Sequence, residues 1–81
     1  MLEELSAAEK AVGIRQTRKA VQSGRAVRVY LACDADPAVT EPVEALCRER
    51  GVALCVDYTM HQLGKACQIA VGASAVAAVA G

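Results

Sequence analysis

The chain has 81 residues, 54% of them hydrophobic and 22% charged, with nine Lys and Arg against nine Asp and Glu. That length supports one hydrophobic core rather than two, so residues 1–81 are expected to form a single domain, and the composition excludes a disordered chain. Zero net charge selects no partner by itself, while the longest apolar run, Ala75 to Ala80, is too short to cross a bilayer and the start Met1-Leu2-Glu3-Glu4 is acidic where a signal peptide is basic, which points to the cytoplasm and no membrane.

Leu2 to Ala11 is the first expected helix: Leu2, Leu5 and Ala8 fall at helical spacing, and Glu3, Glu4 and Glu9 suit its N-terminal half. Ala11 to Ile14 is a short apolar segment, readable as a brief strand in which Gly13 allows a turn or a close backbone approach. A second helix is expected from Gln16 to Gln22 or Ser23. Ala20 and Val21 form its apolar side, Arg15, Arg18, Lys19 and Gln22 line one exposed face, and Gly24 closes it. Ala26 to Cys33 (AVRVYLAC) is the clearest strand, apolar enough to be covered on both faces. In Asp34-Ala35-Asp36-Pro37, Asp36 suits a helix cap and Pro37 a first helical position. The following helix, from Ala38 or Val39 to Arg50, buries Val39, Val43, Leu46 and Cys47 and stops at Gly51. Val52 to Val56 or Asp57 reads as a second buried strand. Thr59 then caps a short helix from Met60 to Cys67, Gln68 to Ala73 is a loop, and Ser74 to Ala80 is the last strand. This order predicts a small α/β domain with helices over both faces of a largely parallel sheet.

The core has an unusual texture, because there is no Phe or Trp and the aromatics are Tyr30 and Tyr58 alone. Ala, Val, Leu and Ile must supply it, each burying little area, so close packing carries the stability. Cys33, Cys47, Cys55 and Cys67 form no CxxC pair and have one histidine, His61, for company. No metal site is expected from them, and they read as reduced, small core residues.

One stretch breaks the charge balance. Between Lys10 and Arg28 the chain carries Lys10, Arg15, Arg18, Lys19, Arg25 and Arg28, and all nine acids lie outside it. Such a run is either a solvated face or a surface for a polyanion. No nucleophile, base and stabiliser fall together, so no catalytic residue and no cofactor is assigned. Asp34 and Asp36 read as a turn with a cap rather than an acid/base pair. Taken as a surface for a polyanion, the run points to RNA binding, and the rival reading is a structural or adaptor protein of a ribonucleoprotein with only generic basic-patch contact to RNA.

Three motifs in order carry a resemblance: G-x-R-Q-T-x-K-A at Gly13 to Ala20, D-A-D-P at Asp34 to Pro37, and L-G-K-A-C-x-I-x-V-G-A-S-A-V at Leu63 to Val76. Together they resemble the kink-turn RNA-binding ribosomal-protein family, the L-seven-Ae and L-thirty-e superfamily, and most of all its short stand-alone bacterial members. The resemblance implies a three-layer α/β/α sandwich with a small mixed central sheet. It also implies that the loop and N-terminus of the second helix enter the widened major groove of a kink-turn and read its tandem sheared G·A pairs. The matching positions are Gly13, Arg15, Gln16 and Lys19, with Ile14, Thr17 and Arg18 among them. Many family members have Asn-Glu where Arg15-Gln16 stands, which makes this chain a different reader. The loop before the last strand, which contacts a flipped nucleotide in the family, is Gln68-Ile69-Ala70-Val71. The family's common Gly-hydrophobic-Glu-Val run is altered here at Gln68 and Ala70. Lys65 is either a further phosphate contact or a helix-end charge, and Ile69 and Val71 are either exposed for a base or tucked into the core. The partner so implied is a structured RNA containing a kink-turn, ribosomal RNA among the candidates, bound by a monomer.

The chemistry of the residues is compatible with such a partner. Arg can bond guanine O6 and N7 together, Gln offers both a donor and an acceptor, and a helix start presents free N–H groups to phosphates. With no aromatic at this place, exposed aliphatics are the available surface for an unstacked base.

Overall fold

The computed structural model describes residues 9–79. Four strands form one sheet: β1 (Lys10–Val12), β2 (Ala26–Leu31), β3 (Ala53–Cys55) and β4 (Ala75–Val79). Among the described residues three helices alternate with them: α1 (Ile14–Gln22), α2 (Pro37–Arg50) and α3 (Met60–Ala66). The helix expected from Leu2 to Ala11 lies outside the described residues up to residue 8, and its last two positions, Lys10 and Ala11, belong to β1.

The sheet order is β1-β4-β2-β3. The last strand is therefore inserted between the first two, antiparallel to both, and only β2 and β3 run parallel. This corrects the largely parallel sheet expected from element order and agrees with the mixed sheet. Alternation along the strands divides the interior into two layers. Tyr30, Cys55, Val76 and Ala78 face α3 through Leu63 and Cys67. Val29, Leu31, Ala75 and Ala77 face α1 and α2 through Ala20, Val21, Val43 and Cys47. The result is an α/β/α sandwich whose central strand, AVAAV, is built from small residues. Ala75, Ala77 and Ala78 are each at most 2% exposed, and side chains this short let a helix pack closely on either face.

Local rules account for most of the boundaries. Asp36 Oδ1 accepts the Ala38 N–H at 3.0 Å and Pro37 occupies the first turn, so α2 starts one residue earlier than expected. Val39 is 39% exposed and leaves the buried stripe expected for α2, which Val43 and Cys47 carry. Pro42 stands inside the helix and gives no N–H to Ala38. Both strands of the parallel pair are shorter than expected: β2 stops at Leu31, and β3 is an edge strand that exposes Ala53 and stops before Val56, which is also exposed. Val27 is exposed because the β2–β4 register shifts between Ala26 and Arg28, a bulge that turns one residue outward. Ending β2 early also puts Cys33 in a turn, so it is exposed while Cys47, Cys55 and Cys67 are buried. Burial pushes the Cys47 and Cys67 thiols up; Glu44 adds to the first shift and Lys10 opposes the second.

Candidate RNA interface

Gly13 joins β1 to α1. Its φ of +99° is one that a side chain rarely tolerates, although a Cβ there would meet nothing within 4 Å. The requirement for glycine at this point is conformational rather than steric. Its C=O accepts the Thr17 N–H at 2.9 Å, the first bond of the helix. Having no side chain it caps nothing, and no acid lies in the first turn. The N–H groups of Ile14, Arg15 and Gln16 thus open α1 without an intrahelical partner, at its positive dipole end. The helix expected from Gln16 begins two residues earlier, so Ile14 and Arg15 belong to its first turn.

The Gly13 N–H donates to the Ala75 C=O at 2.8 Å. Ala75 begins β4, and the chain immediately before it is the loop carrying Gln68, Ile69, Ala70 and Val71. One hydrogen bond therefore brings together two segments more than fifty residues apart in the chain. The Ala32 N–H donates to the Ser74 C=O at 2.9 Å and fixes the same loop end to the finish of β2.

The loop is seated on α3. Gly64, buried in that short helix, has the Val71 carbonyl oxygen where a Cβ would stand, and the Gly72 site would place a Cβ 3.1 Å from Met60 Cβ. The Ala73 N–H donates to the Met60 C=O at 3.1 Å. Backbone thus packs against backbone, and Val71 is turned outward, 71% exposed, with Ile69 at 36% and Ala70 also exposed. Of the two readings open for Ile69 and Val71, the exposed one holds. Gln68 has φ +62°, alone among the described non-glycine residues in a left-handed conformation. Its N–H donates to Lys65 C=O at 3.0 Å and the Ile69 N–H to Gly64 C=O at 3.1 Å, the paired bonds of a Schellman ending. Gly24 and Gly51 occupy the equivalent place after α1 and α2, with φ of +77° and +70°. Lys65 is exposed in the last turn of α3, which suits a cation electrostatically.

The structure separates the remaining candidates. Arg15, Gln16, Arg18 and Lys19 are exposed and Ile14 is half-buried against the α1–α2 layer. Thr17 is 0% exposed, and its Oγ1 has no hydrogen-bond partner among the described residues. It is an interior residue of the helix, not part of the surface formed by its neighbours. Arg18 and Lys19 do not share a face with all the other cations, as helical spacing first indicated. Arg15 and Arg18 border a cleft of about 290 Å³ against Val39 and Pro42 of α2, whereas Gln16 and Lys19 border a larger one, about 1000 Å³, against the outer edge of β1.

Sequence reasoning missed a support for the site in Asp34. Its Oδ1 accepts the Met60 N–H at 2.8 Å, so the Asp34-Ala35-Asp36-Pro37 turn caps two helices, α2 through Asp36 and α3 through Asp34. Thr59 completes the start of α3 with a capping box: Oγ1 accepts the Gln62 N–H at 3.1 Å and Gln62 Oε1 accepts the Thr59 N–H at 2.9 Å. The glycine inside L-G-K-A-C was the available signal for the close approach of the loop at Gly64. No group of three or more His, Cys, Asp or Glu side chains among the described residues is arranged to hold a metal ion.

Fold and surface define a class: a small α/β/α sandwich with an uncapped, basic helix start fixed beside an exposed aliphatic loop. The chain belongs to the Ribosomal protein L7Ae/L30e/S12e/Gadd45 family, which it matches over residues 3–81. An RNA-binding protein of Geobacillus sp. (strain WCH70) is 41% identical over 75 residues, covering 93% of this chain and 92% of its own. One from Bacillus pumilus (strain SAFR-032) is 47% identical over 66 residues, 82% and 80% of the two chains. Among solved structures, the Giardia lamblia 15.5kD RNA binding protein superposes with a TM-score of 0.89 at 24% identity, over 99% of this chain and 71% of its own. A protein with unknown function from Bacillus halodurans gives 0.88 at 23% identity, over 98% and 83%. Both structures share the fold.

Proposed function

We propose that this protein binds structured RNA and recognises kink-turns, with α1's first turn reading the G·A pairs beside the bend and the Gln68–Val71 loop meeting an unstacked nucleotide. The observation that carries the reading is the Gly13–Ala75 hydrogen bond, which sets the uncapped, acid-free start of α1 beside the strand that leaves this loop. The kinship supports it, since the named relatives are RNA-binding proteins. Arg15 and Gln16 supply base contacts, and Arg18 and Lys19 supply phosphate contacts; Ile69 and Val71 give an aliphatic platform where no aromatic is at hand. The protein acts as a monomer without cofactor.

The test compares binding to a kink-turn duplex, a plain duplex of equal length and a kink-turn with its G·A pairs disrupted. The first should bind tightest, and affinity should fall with salt in proportion to the phosphates neutralised. Arg15→Ala and Gln16→Ala should each narrow the discrimination by about 1–3 kcal/mol. Equal affinity for all three RNAs would reduce the surface to a generic basic patch of a ribonucleoprotein adaptor.

A further inference from the structure

Among the described residues β1 lies at one edge of the sheet, with β4 on its inner side only. The Val79 N–H donates to the Glu9 C=O and the Gly13 N–H to the Ala75 C=O, so Glu9, Ala11 and Gly13 face inward across the β1–β4 ladder. In an antiparallel pair the residues between them turn their backbone groups the other way. Lys10 and Val12 thus each direct one N–H and one C=O away from the sheet, along the larger cleft between β1 and α1. Ala11 and Ala20 line that cleft with side chains too short to hold another backbone away. Its charged lining is Lys10, Lys19 and Arg25 against a single acid, Glu9. Two donors and two acceptors in alternation match an extended peptide, which offers the same alternation. A row of phosphates offers acceptors alone and would meet both carbonyls and the Glu9 carboxylate. A second copy of this chain would bring the same surplus of cations to the edge, and cations at an edge oppose such self-pairing. A segment carrying carboxylates satisfies both the backbone and the charge.

We propose that the outer edge of β1 is a docking site for an extended, acidic segment of another protein, which adds to the sheet as a further strand and sets its carboxylates against Lys19 and Arg25. Bonds to the Lys10 and Val12 backbone fix the register of the incoming strand, and the cations along the cleft select its sequence. Lys19 is common to this site and to the RNA surface. The docking site itself uses the sheet edge, so it stands independently of which RNA, if any, α1 reads.

The probe is a capped seven-residue peptide of alternating glutamate and valine, added to the intact protein while amide hydrogen exchange is followed by NMR. Binding should slow exchange at the Lys10 and Val12 N–H groups by about tenfold or more, and leave those of Ala11 and Gly13, already bonded to β4, unchanged. Alternate residues of a strand turn their N–H groups to opposite sides, so peptides N-methylated on all glutamates or on all valines should behave differently. One should keep its affinity and the other should lose about tenfold, as for donors that no longer reach the Lys10 and Val12 carbonyls. Lys19→Glu with Arg25→Glu should weaken the glutamate peptide about tenfold and create binding of a lysine–valine counterpart. Equal binding of the two peptides to the wild-type chain, equal effects of the two methylations, or protection confined to other amides would overturn the proposal. Protection of the Lys10 and Val12 N–H groups by polyuridylate and not by the peptide would overturn it in favour of a nucleic acid. Protection that rises with protein concentration alone would overturn it in favour of a second copy.

Discussion

At the scale of single residues, two side chains sit where local chemistry disfavours them. Thr17 buries a hydroxyl that has no partner among the described residues, and Gln68 holds a left-handed backbone that Gly24 and Gly51 adopt freely at the other helix ends. Replacing a buried, unpaired hydroxyl by a methyl of the same shape removes a desolvation cost of about 1–3 kcal/mol. Thr17→Val should therefore stabilise the fold by roughly 1 kcal/mol after the slight difference in helix propensity. RNA affinity should stay level, as its position inside the helix requires. A stability gain accompanied by weaker binding, measured by denaturation and titration on one preparation, would place that hydroxyl at the RNA. Gln68 is the sharper case. A left-handed residue with a Cβ costs about 1–2 kcal/mol, and the extra freedom of an unfolded glycine returns roughly 0.4–1 kcal/mol of that. Strain wins by a small margin, so Gln68→Gly should raise the melting temperature by about 2–6 °C in a domain of this size. The strained residue lies at the root of the exposed loop, and strain of this kind gathers at binding sites.

At the scale of elements, the turn between β2 and α2 matters most, because it organises α3 as well. Losing the Asp34 cap leaves the Met60 N–H without its acceptor, and losing a cap costs about 0.5–2 kcal/mol. Asp34→Ala should lower the urea midpoint accordingly, and Asp34→Asn, which keeps an acceptor oxygen, should recover most of the loss. Because the loop rests on α3, Asp34→Ala should also weaken RNA binding; unchanged binding would detach the loop from the helix that seats it. Such links show what the sequence could and could not convey. Asp36, Pro37, Gly51 and Thr59 act within a few residues of themselves, and their roles were legible from spacing. So were β2 and the loop at Gln68. The cap from Asp34 to Met60 spans 26 residues, and the insertion of β4 between β1 and β2 joins the two ends of the chain. Such pairings are decided by which faces complete the core, and no local pattern records them. The same distinction explains Thr17 and Cys33. A polar residue inside a basic run reads as surface until the helix start is placed, and a cysteine after an apolar run reads as core until the strand is seen to end at Leu31.

At the scale of the whole molecule, the neutrality of the chain hides its polarity. Six of nine cations lie between Lys10 and Arg28, and the acids of the described chain beyond that stretch are carried by α2, the turns flanking β2 and β3, and the chain start. At about 0.1 M salt the Debye length is near 10 Å, shorter than the span of the α1 surface. A charged resin or an RNA therefore senses this face and not the net charge. The intact protein should bind a phosphate-bearing cation exchanger at pH 7 despite its formal neutrality, and salt that shortens the screening length toward 3 Å near 1 M should release it. Two variants with the same net charge separate the two explanations. Arg18→Gln with Lys19→Gln strips the exposed face of α1, whereas Arg48→Gln with Arg50→Gln removes two cations from the last turn of α2, Arg48 paired with Glu44 at 2.7 Å and Arg50 donating to the Gln22 C=O at 3.2 Å. The first pair should elute at markedly lower salt than the second. Equal elution would mean that retention follows total charge, and the concentration of cations on α1 would then carry no electrostatic steering of a polyanion.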